Sequence, residues 1–325
     1  MEKERYKHLN KYLKEKFGER TLKICIDGNF TCPNRDGKVS TGGCIFCSEK
    51  GSGEHLKPAL LTSSISTCES NTCNPNIESV ISSIQSQVKN HLNSYRGLRA
   101  NKFIAYFQNY TNTYDSISNL KQKYDAALID SRIVALAIAT RPDCITEEIC
   151  KLIASYKNHY EVWVELGLQT SNDDIGNFIN RGYTSKDFSD AIILLNKYHI
   201  DVITHIMIGL PNETFDDIKN TVKFLNSHNI QGLKIHSTYI VKNTKLEELY
   251  LDGKYNPITL KYYLDTATYI LTHINPDIII HKISGDAPKD LLVTPEWNSH
   301  KKWIMNGIDK ILNEKDLYQG IYYNL

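Results

Sequence analysis

The sequence predicts an α/β protein built as a partial (β/α)6 barrel with an N-terminal helix and a C-terminal extension. Three observations lead there. Short β-branched runs alternate with helix-period segments along most of the chain, the signature of βαβ units and a parallel sheet. Most of these runs are apolar at consecutive positions, as strands covered on both faces are. The length, 325 residues with 41% apolar side chains, suits one α/β barrel with a short extension.

In order, residues 1–17 read as an amphipathic helix with Tyr6, Leu9, Leu13 and Phe17 on one face. Leu22 to Ile26 alternates and reads as the first strand. The polar stretch 62–76 reads as a surface loop. Val80, Ile84, Val88 and Leu92 recur every four residues and mark a helix. Strands follow at Phe103–Phe107, Ile133–Ile138, Val162–Leu166, Val202–Ile208 and Leu233–His236, separated by helices at about 114–129, 149–156, 172–179, 186–198 and 215–225. Thr214 is placed to cap the last of these, with Asp216 and Asp217 in the first turn favouring the helix dipole. A helix at 258–275, a short strand at Ile278–Ile280, a Gly/Pro loop and a helix near 298–313 complete the chain. We expect residues 1–20 to form the N-terminal helix, 21–240 the barrel and 241–325 an extension packed on it. The working end of such a barrel is the C-terminal edge of its strands.

Charge is nearly balanced, 38 basic against 37 acidic residues, so bulk electrostatics announce no nucleic-acid partner. The N-terminus lacks an apolar signal segment and no run is long enough to span a membrane, so a cytoplasmic protein is expected. In that compartment its eight cysteines read as metal ligands or catalytic groups before disulfides.

Cys32, Cys44 and Cys47 stand out, with Gly37, Gly42 and Gly43 between them. The glycines allow the tight turns that wrap a metal. Three protein ligands leave one coordination position open, which a reactive centre needs and a structural one does not. From the cysteines alone a zinc site remains open, as Cys44 and Cys47 with Cys68 and Cys73, or as Cys32, Cys44 and Cys47 with His55. Cys68 and Cys73 read as exposed thiols or as ligands of an auxiliary centre, and Cys25 as a small apolar strand residue.

The segments Cys32-Pro-Asn-Arg-Asp-Gly, Gly42-Gly-Cys-Ile-Phe-Cys47, Gly51-Ser-Gly53, Gly209-Leu-Pro-Asn-Glu-Thr214 and Ser284-Gly-Asp-Ala-Pro288 together resemble radical S-adenosylmethionine (SAM) enzymes. The likeness is to the YhcC/YtqA-like (MnmL-type) group, related to the elongator-type branch, and spans about residues 20–300. The eleven residues between Cys32 and Cys44 depart from the commoner three-residue spacing, and the elongator-like branch also has a long first gap. The resemblance implies that Cys32, Cys44 and Cys47 bind three irons of a [4Fe-4S] cluster while SAM binds the fourth. It implies reductive cleavage of SAM to a 5′-deoxyadenosyl radical that takes a hydrogen from substrate, with a flavodoxin- or ferredoxin-type electron donor. Phe46, Gln108, Tyr110, Glu165, Arg181, Met207 and Gly209 match positions that would meet SAM: Phe46 and the Met207–Gly209 backbone at adenine, Gln108 and Tyr110 at the methionine end, Glu165 at hydroxyls or ammonium, Arg181 at carboxylate.

His236 and Tyr239 are expected to face substrate, and His281 and Asp286 to close the mouth. The group resembles enzymes acting on the tRNA wobble uridine, where 5-carboxymethylaminomethyluridine becomes 5-aminomethyluridine and a separate tRNA methyltransferase follows. A tRNA substrate would call for basic residues near the mouth, for which the first helix and residues 282–302 are the candidates. The run Lys301-Lys302-Trp303 fits that role, or that of a solvated helix face with one packed Trp. Two other readings stay open: a radical SAM enzyme on a small metabolite, and a non-catalytic zinc module that binds RNA or protein.

Overall fold

The computed structural model describes residues 4–51, 76–285 and 287–323. Its helices are α1 (Leu9–Phe17), α2 (Ile77–Leu92), α3 (Ile117–Ala127), α4 (Glu147–Ser155), α5 (Asp173–Phe178), α6 (Ser185–Lys197), α7 (Phe215–Asn226), α8 (Lys245–Leu251), α9 (Leu260–His273) and α10 (Lys301–Glu314). Its strands are β1 (Thr21–Ile26), β2 (Lys102–Phe107), β3 (Ile133–Thr140), β4 (Glu161–Gln169), β5 (Asp201–Ile208), β6 (Gly232–Ser237), β7 (Ile240–Val241), β8 (Ile279–Lys282) and β9 (Leu292–Thr294). β1 to β6 and then β8 form one seven-stranded parallel sheet in sequence order. Because each connection steps to the next strand, the sheet curls into an open half-barrel with helices outside.

Side-chain alternation assigns each strand residue to one of two environments. On β4, Val162, Val164, Leu166 and Leu168 enter the helix-facing core with Ile24, Phe107, Ile138 and Ile208 of other strands. The intervening Trp163 joins a second cluster with Ile104, Tyr106, Ala135, Ala137, Ala139 and Ile203, which lines the barrel lumen. Leu9 and Leu13 of α1 belong to this inner cluster, so α1 plugs the N-terminal end of the barrel. Backbone pairing of His8 with Ile280 and a hydrogen bond from Tyr12 to Glu161 fix it there.

Thr214 caps α7 in a reciprocal capping box with Asp217, and Thr184 does the same with Asp187 for α6. The antiparallel ribbon of β7 and β9 and helix α8 carry no clear periodicity in so few residues and were not expected from the sequence. Ile278 lies just outside β8. Of the polar stretch 62–76, Asn76 caps α2 and the rest lies outside the described residues, as do His55, Cys68, Cys73 and Asp286. Among the described residues no helix is long and apolar enough to cross a membrane.

Candidate active site

The loop after β1 carries Cys32, Cys44 and Cys47 at the C-terminal edge of the sheet. Its turns use positive φ at Gly37, Gly42 and Gly43, and a Cβ on Gly43 would stand 2.8 Å from Arg35 Nε. Arg35 Nη2 donates to the Cys47 carbonyl at 2.9 Å, and Arg35 lies over the Tyr110 ring. Asn34, fully buried, donates from Nδ2 to Asn180 O at 2.6 Å and lies 3.7 Å from Cys44 Sγ. Asn180 returns a bond to Gly43 O, and Ile45 and Leu246 extend the stitching to the β4–α6 connection and to α8. Asn34 is a positioning residue that its place inside a quoted motif could have flagged.

The donor set fits an iron–sulfur cluster. Burial first, then negative charge on Cys47 and Cys32, pushes the Cys44 thiol up to about 12. The three thiols are near enough to repel one another as thiolates, and iron cations between them relieve that repulsion. Among the described residues no three His, Cys, Asp or Glu side chains close on one point as they do around a single ion.

The residues matched to SAM fall into four places. Phe46 and Met207 pack in one apolar cluster with Leu210 and Tyr255, and Tyr255 donates to Gly209 O at 2.7 Å. Tyr110 reaches the carbonyl of Glu49 beside the cysteine loop, and Gln108 sits half-buried just past β2. Arg181 is employed differently from the carboxylate contact expected. Its fully buried guanidinium donates to the carbonyls of Leu168, Thr170 and Tyr183 and to Asp173, so it anchors the loop that holds Asn180.

Glu165 also differs from expectation. It is 1% exposed, deep in the lumen, and its oxygens already meet five donors. Tyr106 OH at 2.7 Å, His205 Nε2 at 2.9 Å and Lys234 Nζ lie on Oε2, while Trp163 Nε1 at 3.2 Å and Lys23 Nζ at 3.5 Å lie on Oε1. A carboxylate has about four lone-pair sites, so none is left for SAM hydroxyls or ammonium. Burial opposes ionisation, yet Lys234, then Lys23 and His205, hold the carboxyl well below its usual range. Burial, opposed by Glu165, brings Lys234 down to about 7, and burial with the Lys234 charge brings His205 down to about 4. The neutral His205 therefore donates from Nε2. Lys23, His205 and Lys234 were missed in the sequence. The signal was present: each is a polar residue at an inward position of a strand whose helix-facing positions are mostly apolar.

His236, near the end of β6, lies one inward position above Lys234, with its ring 5.3 Å from that of His205. Tyr239 lies beside Gly285, where a Cβ would meet its ring at 2.9 Å. His281 does not close the mouth. Its ring meets Trp163 edge-on at 5.9 Å and abuts Gly232, at the start of β6, so it faces the floor.

The segment 209–214 folds back after β5. Glu213 accepts the Gly209 N–H at 2.6 Å, and burial pushes its carboxyl up to about 8 against that bond. A folded value above the unfolded 4.5 means that stability falls as pH rises from about 4.5 to 8. Glu213→Gln keeps the acceptor oxygen without the charge. Its melting temperature should match the parent at pH 5 and exceed it by a few degrees at pH 9; a deficit that grows with pH would refute the assignment.

Comparison with known proteins agrees with this architecture. The radical SAM superfamily model matches residues 39–225, and the Radical_SAM C-terminal domain matches residues 230–314. The uncharacterized protein YtqA of Bacillus subtilis is 33% identical over 98% of this chain and 93% of its own length. The protein YhcC of Escherichia coli is 31% identical over 93% and 90%. Elongator complex protein 3 of Drosophila melanogaster is 26% identical over half of this chain and 29% of its own length. Elp3 of the archaeon Methanocaldococcus infernus, with an N-terminal deletion, shares the fold at a TM-score of 0.62 and 16% identity, covering 92% of this chain and 64% of that one. The reading as a non-catalytic zinc module gives way to these matches. The chain belongs to the radical SAM superfamily and is an enzyme that uses a [4Fe-4S] cluster and S-adenosylmethionine.

Proposed function

We propose that the enzyme acts on the wobble uridine of tRNA, turning 5-carboxymethylaminomethyluridine into 5-aminomethyluridine for a separate tRNA methyltransferase. The observation that supports this is a basic hollow beside the open end of the barrel, with a cavity volume of about 750 Å3. Lys289, Lys301 and Lys302 line it with one acid, Asp290. His300 stacks on Trp303 at 4.1 Å, and Trp303 is 55% exposed rather than packed. An exposed stacked aromatic among lysines suits a base and its phosphates. Asn298, in the wall, accepts a hydrogen bond from Ser237 at the end of β6, which sets the hollow against the barrel mouth. The first helix lies away from this hollow, since α1 closes the opposite end of the barrel, and its Lys11 and Lys16 pair with Glu4 and Glu161.

In this reading Cys32, Cys44 and Cys47 hold the cluster, and Phe46, Met207, Gly209, Gln108 and Tyr110 surround SAM. The bound cofactors supply a 5′-deoxyadenosyl radical, with the electron from a flavodoxin- or ferredoxin-type donor. The chain itself seats the RNA at the hollow, admits one side chain to the lumen and excludes water with the α1 plug.

Nucleosides of bulk tRNA from cells lacking the protein test the reading. The carboxymethylaminomethyl form should accumulate and the aminomethyl-derived forms vanish, with recovery on complementation. Unchanged wobble nucleosides would turn the search to small metabolites. In vitro, Lys302→Glu should weaken tRNA binding about tenfold and lower the salt slope by about one to two. Unaltered binding at every salt concentration would remove the hollow from the interface.

A further inference from the structure

We infer that the floor of the lumen is a receptor for a carboxylate carried by the substrate, built from Lys23, Lys234 and His236. The inference rests on the proposed function and sharpens it, since the side chain proposed there ends in a carboxylate.

Charge is the first argument. Lys23 and Lys234 face one carboxylate, Glu165, so with both ammonium groups protonated one positive charge is left over among these three residues, and a second carboxylate would favour that protonated state of Lys234. Lys282 is itself engaged and stays out of the count. Lys234 is 4% exposed and Glu165 is 1% exposed, while the Lys23 side chain is 24% exposed, so water screens the inner part of the group little. Both ammonium groups also lie against the ring of Tyr106, at 4.8 and 4.7 Å. An aromatic face softens a cation but does not neutralise it.

Unused hydrogen-bonding capacity is the second argument. Nε2 of His236 and Nδ1 of His281 are buried without a hydrogen-bond partner. Buried polar atoms of this kind ordinarily have partners. Burial first, and then lysine charge, depresses both imidazoles, so they stay neutral and each can present one N–H. His236 lies on the mouth side of Lys234, on the path an entering group takes.

One unit of excess charge and a few N–H donors suit a monovalent planar acceptor. A phosphate monoester carries closer to two charges and is matched less well. A cationic or purely apolar group would leave the excess uncompensated. Seating the carboxylate at the floor would hold the carbon chain above it toward the mouth, where SAM is expected.

The test uses the full chain with its cluster reconstituted anaerobically. Anticodon stem-loops carry 5-carboxymethylaminomethyluridine, its neutral amide, or plain uridine, and binding is measured with and without SAM. The carboxylate form should bind the parent enzyme about tenfold more tightly than the amide. Lys234→Met and Lys23→Gln should erase that preference while leaving binding of the plain stem-loop unchanged. Equal binding of acid and amide by the parent enzyme overturns the inference yet spares the tRNA reading, and needs no variant to fold. A second arm, free of RNA, dialyses labelled N-methylglycine against N-methylglycinamide and inorganic phosphate. If no stem-loop binds, the tRNA reading fails, and the receptor then stands or falls on carboxylate selectivity in this arm. Competition between SAM and N-methylglycine would assign the carboxylate to SAM and overturn the substrate assignment.

Discussion

Cys44→Ala is expected to abolish formation of 5′-deoxyadenosine from SAM, a loss of roughly a thousandfold or more, and to bleach the brown reconstituted protein. The magnitude follows from where the chemistry resides. The cofactors carry the bond cleavage, and side chains in the lumen cannot substitute for them. Cys44 lies amid the hydrogen bonds of Asn34, Gly43 and Ile45, so the loop's backbone ties survive the substitution. The variant should therefore fold and, if the proposed function holds, bind plain tRNA stem-loops and fail to restore the nucleosides of deletion cells. Cys25→Ala, on β1 outside the loop, should retain its iron. Wild-type iron content and SAM cleavage in Cys44→Ala would dismiss the assignment of the three ligands.

Glu165→Gln is expected to be the most destabilising single change in the lumen, by about 3–5 kcal/mol at pH 7. The side chain is completely buried, and loss of its charge leaves Lys234 and Lys23 without the one carboxylate they share among the described residues. The sign of the pH dependence follows from its depressed folded value. Its stabilisation is fully present above the unfolded value of about 4.5 and is lost as pH falls through the folded value. Parent and variant should thus converge in acid and separate near neutrality, as read by calorimetric melting of the loaded enzyme. Lys234→Met added to Glu165→Gln should recover part of the loss, with a coupling of about 1–3 kcal/mol. Strictly additive losses, or a single-variant loss below about 1 kcal/mol, would contradict the pairing described here.

The order of elements was legible because local patterns carry it. The apolar runs at 103–107, 133–138 and 202–208 each fall within a strand, and the four-residue recurrence from Val80 to Leu92 lies on α2. The cysteine loop was legible for the same reason, since spacing and glycines are properties of a contiguous segment. Arg181 was a different matter. Sequence marks it as polar beside a loop, and only the fold shows its donors consumed by Leu168, Thr170 and Tyr183 carbonyls.

Thus the sequence by itself determined the βα alternation, the parallel sheet, the cap at Thr214 and the three-thiol loop of a radical SAM enzyme. The tertiary structure alone decided what occupies the lumen. Lys23, Tyr106, Glu165, His205 and Lys234 come from five strands across more than two hundred residues. Their meeting depends on strand register and on the curl of the sheet. A one-residue slip in any strand would send its polar side chain to the helix-facing core, where no partner waits.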